Sequence, residues 1–148
     1  MVVQFKKLDP LAITPSYAKE GDAGLDITPT KVESIQGENE SGEVFYQIKI
    51  YTGLAFEIPK GYVGLLFPRS SVKNFKARLT NSVGVIDSGY RGEVTGYFDV
   101  PQPISEFYKN GTAVLQMIIL PFPKITLEEI KELSDSERGD KGYGHTGI

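Results

Sequence analysis

The sequence predicts a single all-β domain, a β-sandwich or jelly roll, on two main observations. Sixteen glycines and nine prolines divide the 148 residues into short apolar runs, which is typical of strands joined by turns. Within several of these runs apolar and polar residues alternate, which is the two-residue period of a strand with one buried face. The length also suits one domain, because domains cluster at roughly 100–150 residues.

Strand signals recur along the chain. The segment 44–50 alternates, and its four residues predicted on one face are Val44, Tyr46, Ile48 and Ile50. The run Ala113–Leu120 is almost continuously apolar, which predicts a strand buried on both faces. The other predicted strands are Leu54–Ile58, Tyr62–Phe67 and Glu93–Val100.

Helix signals are scarce, and the remaining segments with a clear pattern indicate a loop or a tail. Residues 126–133 fit a capping box followed by apolar residues at helical spacing, so a short helix and a non-helical chain are both open there. Ser71–Phe75 could form one helical turn, with Ser71 as its N-cap. The polar segment Gln36–Glu43 predicts a surface loop, and the glycine-rich, charged residues 134–148 predict a disordered tail.

Composition excludes several classes of function. The chain has no cysteine and one histidine, His145, which rules out a disulfide framework and a zinc site of thiolates or several imidazoles. Its net charge of −3 gives no basic footprint for nucleic acid. No apolar run suits a signal peptide or a membrane span, so we expect no membrane partner and a cytoplasmic location, or a host-cell interior if the protein is viral.

The segment Asn81–Glu93 carries the densest set of candidate functional residues. An apolar strand ends there in Asp87, and a turn containing Tyr90 and Gly92 follows. A carboxylate held at a strand end can act as a general base for water. An aspartate at this place also commonly begins a β-turn without any catalytic role.

Three other segments could contact a phosphorylated ligand or a cation. Arg69 and the serines after it could hold phosphate, or they could be a surface arginine beside a helix cap. The glycine-rich residues 138–147 carry cations but lack the Gly-Lys-Ser/Thr order of a Walker loop. Asp22 and Asp26 lie four residues apart in a glycine turn, which allows either metal ligation or a solvated turn.

In their order, these segments resemble the five-motif signature of the trimeric deoxyuridine triphosphatase (dUTPase) family. The third and fifth motifs are the most specific, and the resemblance covers nearly the whole chain. Thr112 and Ala113 depart from the pattern, because the fourth motif usually has an acidic residue and an arginine there. The matching stretches are Ala-Gly-Leu-Asp at 23–26, Pro-Arg-Ser at 68–70, Asn81 with Gly-Val-Ile-Asp-Ser-x-Tyr-x-Gly at 84–92, Gly111 with Gln116, and Arg-Gly-x-x-Gly-Tyr-Gly-x-Thr-Gly at 138–147.

The resemblance implies a β jelly roll that forms a homotrimer with active sites shared between subunits. Residues 1–133 would be the catalytic domain, and residues 134–148 a flexible C-terminal arm that closes over an active site. The implied reaction is Mg²⁺-dependent hydrolysis of dUTP to dUMP and pyrophosphate by attack of water on the α-phosphate. Such an enzyme keeps uracil out of DNA and supplies dUMP for thymidylate synthesis.

Roles for individual residues also follow from the resemblance. Asp87 would activate the water, Tyr90 would exclude a ribose 2′-hydroxyl, and Asp26 would orient a water ligand of Mg²⁺. The hairpin from Asn81 would hold uracil, on which Tyr143 would stack. The other implied substrate-binding residues are Arg69, Ser70, Ser71, Gly84, Val85, Ile86, Gln116, Arg138, Gly144, His145 and Thr146.

Two alternative functions stay open for this pattern. A dCTP deaminase shares the jelly roll and the trimer but would change the base and spare the phosphates. A nucleotide-binding regulatory protein would keep the pocket without needing a general base. The third and fifth motifs favour the triphosphatase over the deaminase, and Asp87 favours an enzyme over a binding protein.

Overall fold

The computed structural model describes residues 1–103 and 111–140, and it consists mainly of β-strands. Among these residues one 3-10 helix spans Ser70–Phe75, and no helix has the length and apolar character needed to cross a membrane. The strands are β1 Gln4–Lys7, β2 Leu25–Ile27, β3 Lys31–Glu38, β4 Val44–Tyr51, β5 Leu54–Glu57, β6 Tyr62–Pro68, β7 Arg78–Leu79, β8 Gly84–Ile86, β9 Thr95–Val100 and β10 Leu115–Pro121.

Two four-stranded antiparallel sheets form the body of the fold. One has the order β2-β10-β6-β8 and the other β3-β4-β9-β7, while β1 pairs with β5 in a separate ribbon. Side chains from both sheets meet in one core, whose fully covered members include Ile27, Leu115, Ile50 and Phe98. The predicted all-β jelly roll is therefore confirmed, and each sheet buries the apolar face of the other.

The predicted strands lie where the structure has strands, but the predicted burial of their side chains is less accurate. In β4, Ile48 and Ile50 are buried as predicted, but Val44 is 50% exposed because it lies at the tip of the β3–β4 hairpin. β10 lies between β2 and β6, and its first residues are buried. Leu120 near its end is exposed, so the prediction of a strand buried on both faces holds only for the first half.

Part of the predicted loop Gln36–Glu43 is strand instead. β3 continues to Glu38, and the turn is limited to residues 39–43, where the side-chain oxygen of Asn39 accepts the N–H of Glu43 at 2.9 Å. The ring of Phe45 on β4 lies over Gly37, where a Cβ would collide with it. Pairing with an apolar strand therefore overrides the low strand propensity of a polar segment.

The helix alternative for residues 126–133 is wrong, because these residues form no helix or strand. Leu127 and Leu133 are exposed, and a helix this short is marginal unless an apolar face packs against something. The helical turn predicted at Ser71–Phe75 is confirmed as the 3-10 helix. It begins one residue earlier, with Arg69 at the N-cap position, so the prediction of Ser71 as the cap is wrong.

Candidate active site

Three residues predicted to lie near phosphates or metal meet at one end of the first sheet. Asp26 on β2 and Arg69, directly after β6, form an ion pair in which Oδ1 is 2.9 Å from Nε. Between them, β10 places Gln116 beside Asp26, and the Nε2 of Gln116 donates to the carbonyl of Pro68 at 3.0 Å. We call Asp26, Arg69 and Gln116 the phosphate-end cluster.

Gly24 leaves the space that this cluster needs. A Cβ at position 24 would lie 2.5 Å from Oε1 and 3.2 Å from Cβ of Gln116, so a larger residue would displace the glutamine. The backbone N–H of Arg69 donates to the carbonyl of Val114 at 2.9 Å, which fixes where its side chain starts. That side chain is 34% exposed, so the guanidinium can reach a ligand at the surface.

The predicted phosphate-binding serines follow Arg69 in the 3-10 helix. Ser70 is exposed and Ser71 is partly buried. The next residue, Val72, is buried in the core, and its N–H donates to the carbonyl of Arg69 at 3.0 Å. The core therefore anchors this short helix and keeps Ser70 at the surface next to Arg69.

The segment predicted to hold uracil is the tight turn between β7 and β8. The carbonyl of Asn81 accepts the N–H of Val83 at 2.6 Å, and Ser82 has a φ of 61°. Gly84 is buried so closely against Leu66 that a Cβ would lie 3.0 Å from the leucine Cβ. Val85 is exposed by contrast, so β8 presents an apolar edge that a flat ring could cover.

Asp87 directly follows β8 and is exposed. Its carbonyl accepts the N–H of Tyr90 at 3.0 Å, so the residue also begins a turn. The two sequence interpretations are compatible, because the turn uses the main chain and a general base would use the side chain. A cavity of about 140 Å³ borders Asp87, Ile86, Tyr90 and Glu93.

The ring of Tyr90 is held by the turn that carries it. Its hydroxyl donates to the carbonyl of Glu93 at 2.9 Å. A Cβ at Gly92 would lie 2.5 Å from Oη and 2.7 Å from Cζ, so glycine is required for this close approach. Arg91 supports the same turn, since its guanidinium donates to the carbonyls of Ser88 and Tyr90 and lies 3.2 Å from Glu57.

Sequence reasoning missed the residues that support this turn from outside. Oε1 of Glu93 accepts the N–H of Gly53 at 2.7 Å, and the buried hydroxyl of Thr52 donates to the carbonyl of Val94 at 2.7 Å. In the sequence Glu93 was only the last residue of the candidate segment Asn81–Glu93 and the first residue of the predicted strand Glu93–Val100. No local spacing links it to a residue 40 positions earlier.

The phosphate-end cluster and Asp87 lie at opposite ends of β6. Pro68 pairs with Leu115 at one end, whereas Gly64 pairs with Ile86 near the other, so Asp87 is level with Val63. The strand between positions 63 and 69 spans roughly 20 Å at about 3.3 Å per residue. A single chain therefore keeps these two groups of predicted site residues apart.

Arg138 is exposed in the described part of the C-terminal arm, whose residues 134–140 form no helix or strand. The predictions for Tyr143, Gly144, His145 and Thr146 fall outside the described residues. Within 1–103 and 111–140, no three acidic or histidine side chains gather closely enough to hold a metal ion. A larger depression of about 690 Å³ lies against Phe5 and Phe56, away from the predicted catalytic and phosphate-binding residues.

Known proteins resemble this chain in both sequence and fold. The deoxyuridine 5′-triphosphate nucleotidohydrolase of Clostridium acetobutylicum is 37% identical over 148 residues, which cover 99% of this chain and 97% of that protein. The dUTPase of Staphylococcus bacteriophage 80alpha, solved with dUPNHPP, covers 99% of both chains at 26% identity with a TM-score of 0.80.

A third known protein has a fold similar to that of this chain. A mutant dUTPase from phage phi11 of S. aureus, described with a structural Mg(II) ion, has a TM-score of 0.72 at 23% identity and covers 91% of this chain and 100% of its own. The dUTPase family model itself matches residues 11–147, nearly the whole sequence. This chain therefore belongs to the dUTPase family.

Proposed function

We propose that the protein hydrolyses dUTP to dUMP and pyrophosphate, with Asp87 as the general base that activates the attacking water. The position of Asp87 carries this assignment, because Asp87 is exposed at the end of β8 and borders the cavity beside Tyr90. Full-length relatives named deoxyuridine 5′-triphosphate nucleotidohydrolase support the substrate. Water attacks the α-phosphorus and pyrophosphate leaves, without a covalent intermediate on the protein.

Uracil and deoxyribose occupy the turn after Asn81 and the cavity beside Asp87. The tight turn and the approach of Gly84 to Leu66 support a base site built largely from main-chain groups, with Val85 and Ile86 beside it. A donor and acceptor pattern fixed in this way rejects cytosine, and the close fit rejects the thymine methyl. The fixed ring of Tyr90 supports steric exclusion of a ribose 2′-hydroxyl.

The phosphate chain binds at the phosphate-end cluster. Arg69 offers a planar fork to phosphate oxygens, and its ion pair with Asp26 orients that fork. Ser70 stabilises charge on the leaving oxygen, and Gln116 contacts the phosphates. When the C-terminal arm closes, it excludes water and adds contacts to the nucleotide. The residues that make these contacts are Arg138, Tyr143, Gly144, His145 and Thr146.

We assign Asp26 to the Mg²⁺ site, as the acceptor for a water ligand of the ion. The ion pair with Arg69 uses one of the acceptor sites of the Asp26 carboxylate, and another would accept a hydrogen bond from the water. The residues fit Mg²⁺, because this ion usually keeps several waters and binds substrate phosphates with only one or two carboxylates. When bound, Mg²⁺ neutralises charge on the triphosphate and fixes its geometry.

A homotrimer with shared sites accounts for the separation along β6. The general base and the phosphate ligands must both lie within hydrogen-bond distance of the reacting groups, yet roughly 20 Å of strand separates them in one chain. A neighbouring subunit can bring its phosphate-end cluster to this subunit's Asp87. Exposed apolar residues after β10 support such an assembly, namely Phe122, Ile125, Leu127, Ile130 and Leu133.

Release of pyrophosphate from dUTP, dCTP, TTP and UTP in the presence of Mg²⁺ tests the activity. Turnover of dUTP alone, lost in Asp87→Asn, is the expected result. Ammonia release from dCTP would instead indicate a deaminase, and dUTP binding without turnover a regulatory protein. Light scattering tests the assembly separately, since a monomer with full activity would contradict the shared site.

A further inference from the structure

The turn that carries Tyr90 is tied to the corner between β4 and β5. Glu93 makes this connection because its main-chain carbonyl and its side-chain carboxylate both accept hydrogen bonds. Its carbonyl accepts the hydroxyl of Tyr90 at 2.9 Å, while its carboxylate accepts the N–H of Gly53 at 2.7 Å. A bond from a neutral N–H to a carboxylate is roughly twice as strong as one between neutral groups.

The corner that receives Glu93 is held tightly by its surroundings. Gly53 has a φ of 65°, and a Cβ there would lie 2.8 Å from Asp9 and 3.1 Å from both Ala12 and Thr30. Such a packed, left-handed glycine has little freedom to shift. The carboxylate of Glu93 is therefore attached to a fixed point.

A second link joins the same corner to the start of β9. The Thr52 hydroxyl donates to the carbonyl of Val94 at 2.7 Å and accepts the N–H of Leu54 at 3.2 Å. The N–H of Val94 donates to the carbonyl of Leu54 at 2.8 Å. Thr52 is fully buried, so these bonds are shielded from water. They fix Val94 and, with it, the peptide group that includes the Glu93 carbonyl, while the Glu93 side chain adds a second bond that holds the turn.

We propose that Glu93 is a positioning residue for Tyr90, and that selection of deoxyribose over ribose depends on its bond to Gly53. This inference rests on the proposed function, in which the Tyr90 ring excludes the 2′-hydroxyl. Without the carboxylate, the carbonyl that anchors the Tyr90 hydroxyl keeps only one attachment to the corner, the bond from the N–H of Val94 to the carbonyl of Leu54, and loses the second bond, to Gly53. The ring can then yield to a ribose, while Asp87 and the phosphate-end cluster stay in place.

The test compares kcat/KM for dUTP with kcat/KM for UTP in Glu93→Ala and Glu93→Gln. In Glu93→Ala the ratio falls roughly tenfold, the lower range of what a steric pocket contributes to discrimination. Glu93→Gln restores most of the ratio, because its side-chain oxygen can still accept the Gly53 N–H. Asp99→Ala is the matched control, since Asp99 lies on β9 and accepts side-chain hydrogen bonds from Gln47 at 2.9 Å and Thr80 at 3.0 Å. It lowers the Tm and leaves the ratio unchanged.

Tyr90→Phe removes the same link from the other side and keeps the inference testable if Glu93→Ala folds poorly. It lowers the ratio similarly, and the double variant loses no more than either single one, because both act through one connection. An unchanged ratio in Glu93→Ala, or an equal fall in Asp99→Ala, overturns the inference. If the wild-type protein does not turn over dUTP, the proposed function itself fails.

Discussion

The two ends of β6 are built in different ways. The phosphate-end cluster is held mainly by side chains, through the Asp26–Arg69 ion pair and the bond from Gln116 to the chain at Pro68. The turn from Asp87 to Glu93 is held mainly by bonds to main-chain groups, including the carbonyls of Asp87 and Glu93. Charged side chains suit a site for phosphates, whereas a rigid main chain suits a site that must reject similar bases and sugars.

This difference separates the expected effects of substitution. Changes at the phosphate-end cluster should weaken binding of any nucleoside triphosphate. Changes in the turn should alter the selectivity among nucleotides or the rate of the chemical step, while the affinity for dUTP stays similar. Substitutions at each end of β6, and removal of the arm, test this division.

Asp87→Asn is expected to lower kcat roughly 10²- to 10⁴-fold, the usual contribution of general acid–base catalysis. The amide keeps the shape of the side chain and the main-chain turn with Tyr90, so the affinity for dUTP should change little. Single-turnover kinetics and equilibrium binding of a non-hydrolysable dUTP analogue measure the two quantities. A large loss of affinity with an unchanged chemical step would place Asp87 among the binding residues.

Removal of residues 134–148 is expected to lower kcat/KM roughly a hundredfold, since lost closure misplaces the substrate. The Tm should stay close to that of the full chain, because the described residues of the arm, 134–140, are exposed. This truncation affects both ends of β6 together, unlike any point substitution. A large drop in Tm would show that residues 1–133 are not a self-sufficient domain.

Gly24→Ala and Gly92→Ala form a matched pair, one for each end of β6. The first would displace Gln116 and is expected to raise the KM for dUTP several-fold without changing the dUTP-to-UTP ratio. The second would displace the Tyr90 ring and is expected to lower that ratio roughly tenfold. Steady-state kinetics with both nucleotides distinguish them, and the same pattern in both variants would contradict the division between the two ends.

Asp26→Asn is expected to lower the free energy of unfolding by about 1 kcal/mol or less, because the ion pair with Arg69 is partly exposed and screened by solvent. The Mg²⁺ concentration for half-maximal activity should rise, since the amide is a poorer acceptor for a metal-bound water. Urea unfolding and a Mg²⁺ titration provide the measurements. Unaltered Mg²⁺ dependence would remove Asp26 from the proposed metal site.

Glu33→Gln tests a surface group on β3, in the other sheet, and should have the smallest effect. The hydroxyl of Tyr51 donates to Glu33 at 3.0 Å and, with the charge of Lys31, lowers the pKa of that carboxyl below its usual 4.5. A lowered pKa contributes stability above about pH 4.5 that is lost as the pH falls through the folded value. The variant should therefore have a slightly lower Tm than wild type at pH 7, and the gap should close in acid. Activity on dUTP should not change.

Patterns in the sequence were enough to predict the fold class, the family and the positions of β4, β5, β6, β9 and β10. Alternation places Ile48 and Ile50 in the core, because a strand has a period of two wherever it lies. The same local information failed at Gln36–Glu38, where pairing with β4 decides the outcome, and it left both alternatives open at residues 126–133. The roles of Asp87 and the other candidate site residues stay predictions.

The order of residues specifies which chemical groups the protein has, and the order of its motifs identifies the family. The positions of those groups in space depend on how the chain folds. Antiparallel pairing brought Asp26, Arg69 and Gln116 together and placed Asp87 roughly 20 Å away along β6. The fold also brought the side chain of Glu93 to the N–H of Gly53, a contact that spacing cannot predict, because the two residues lie 40 positions apart in the chain.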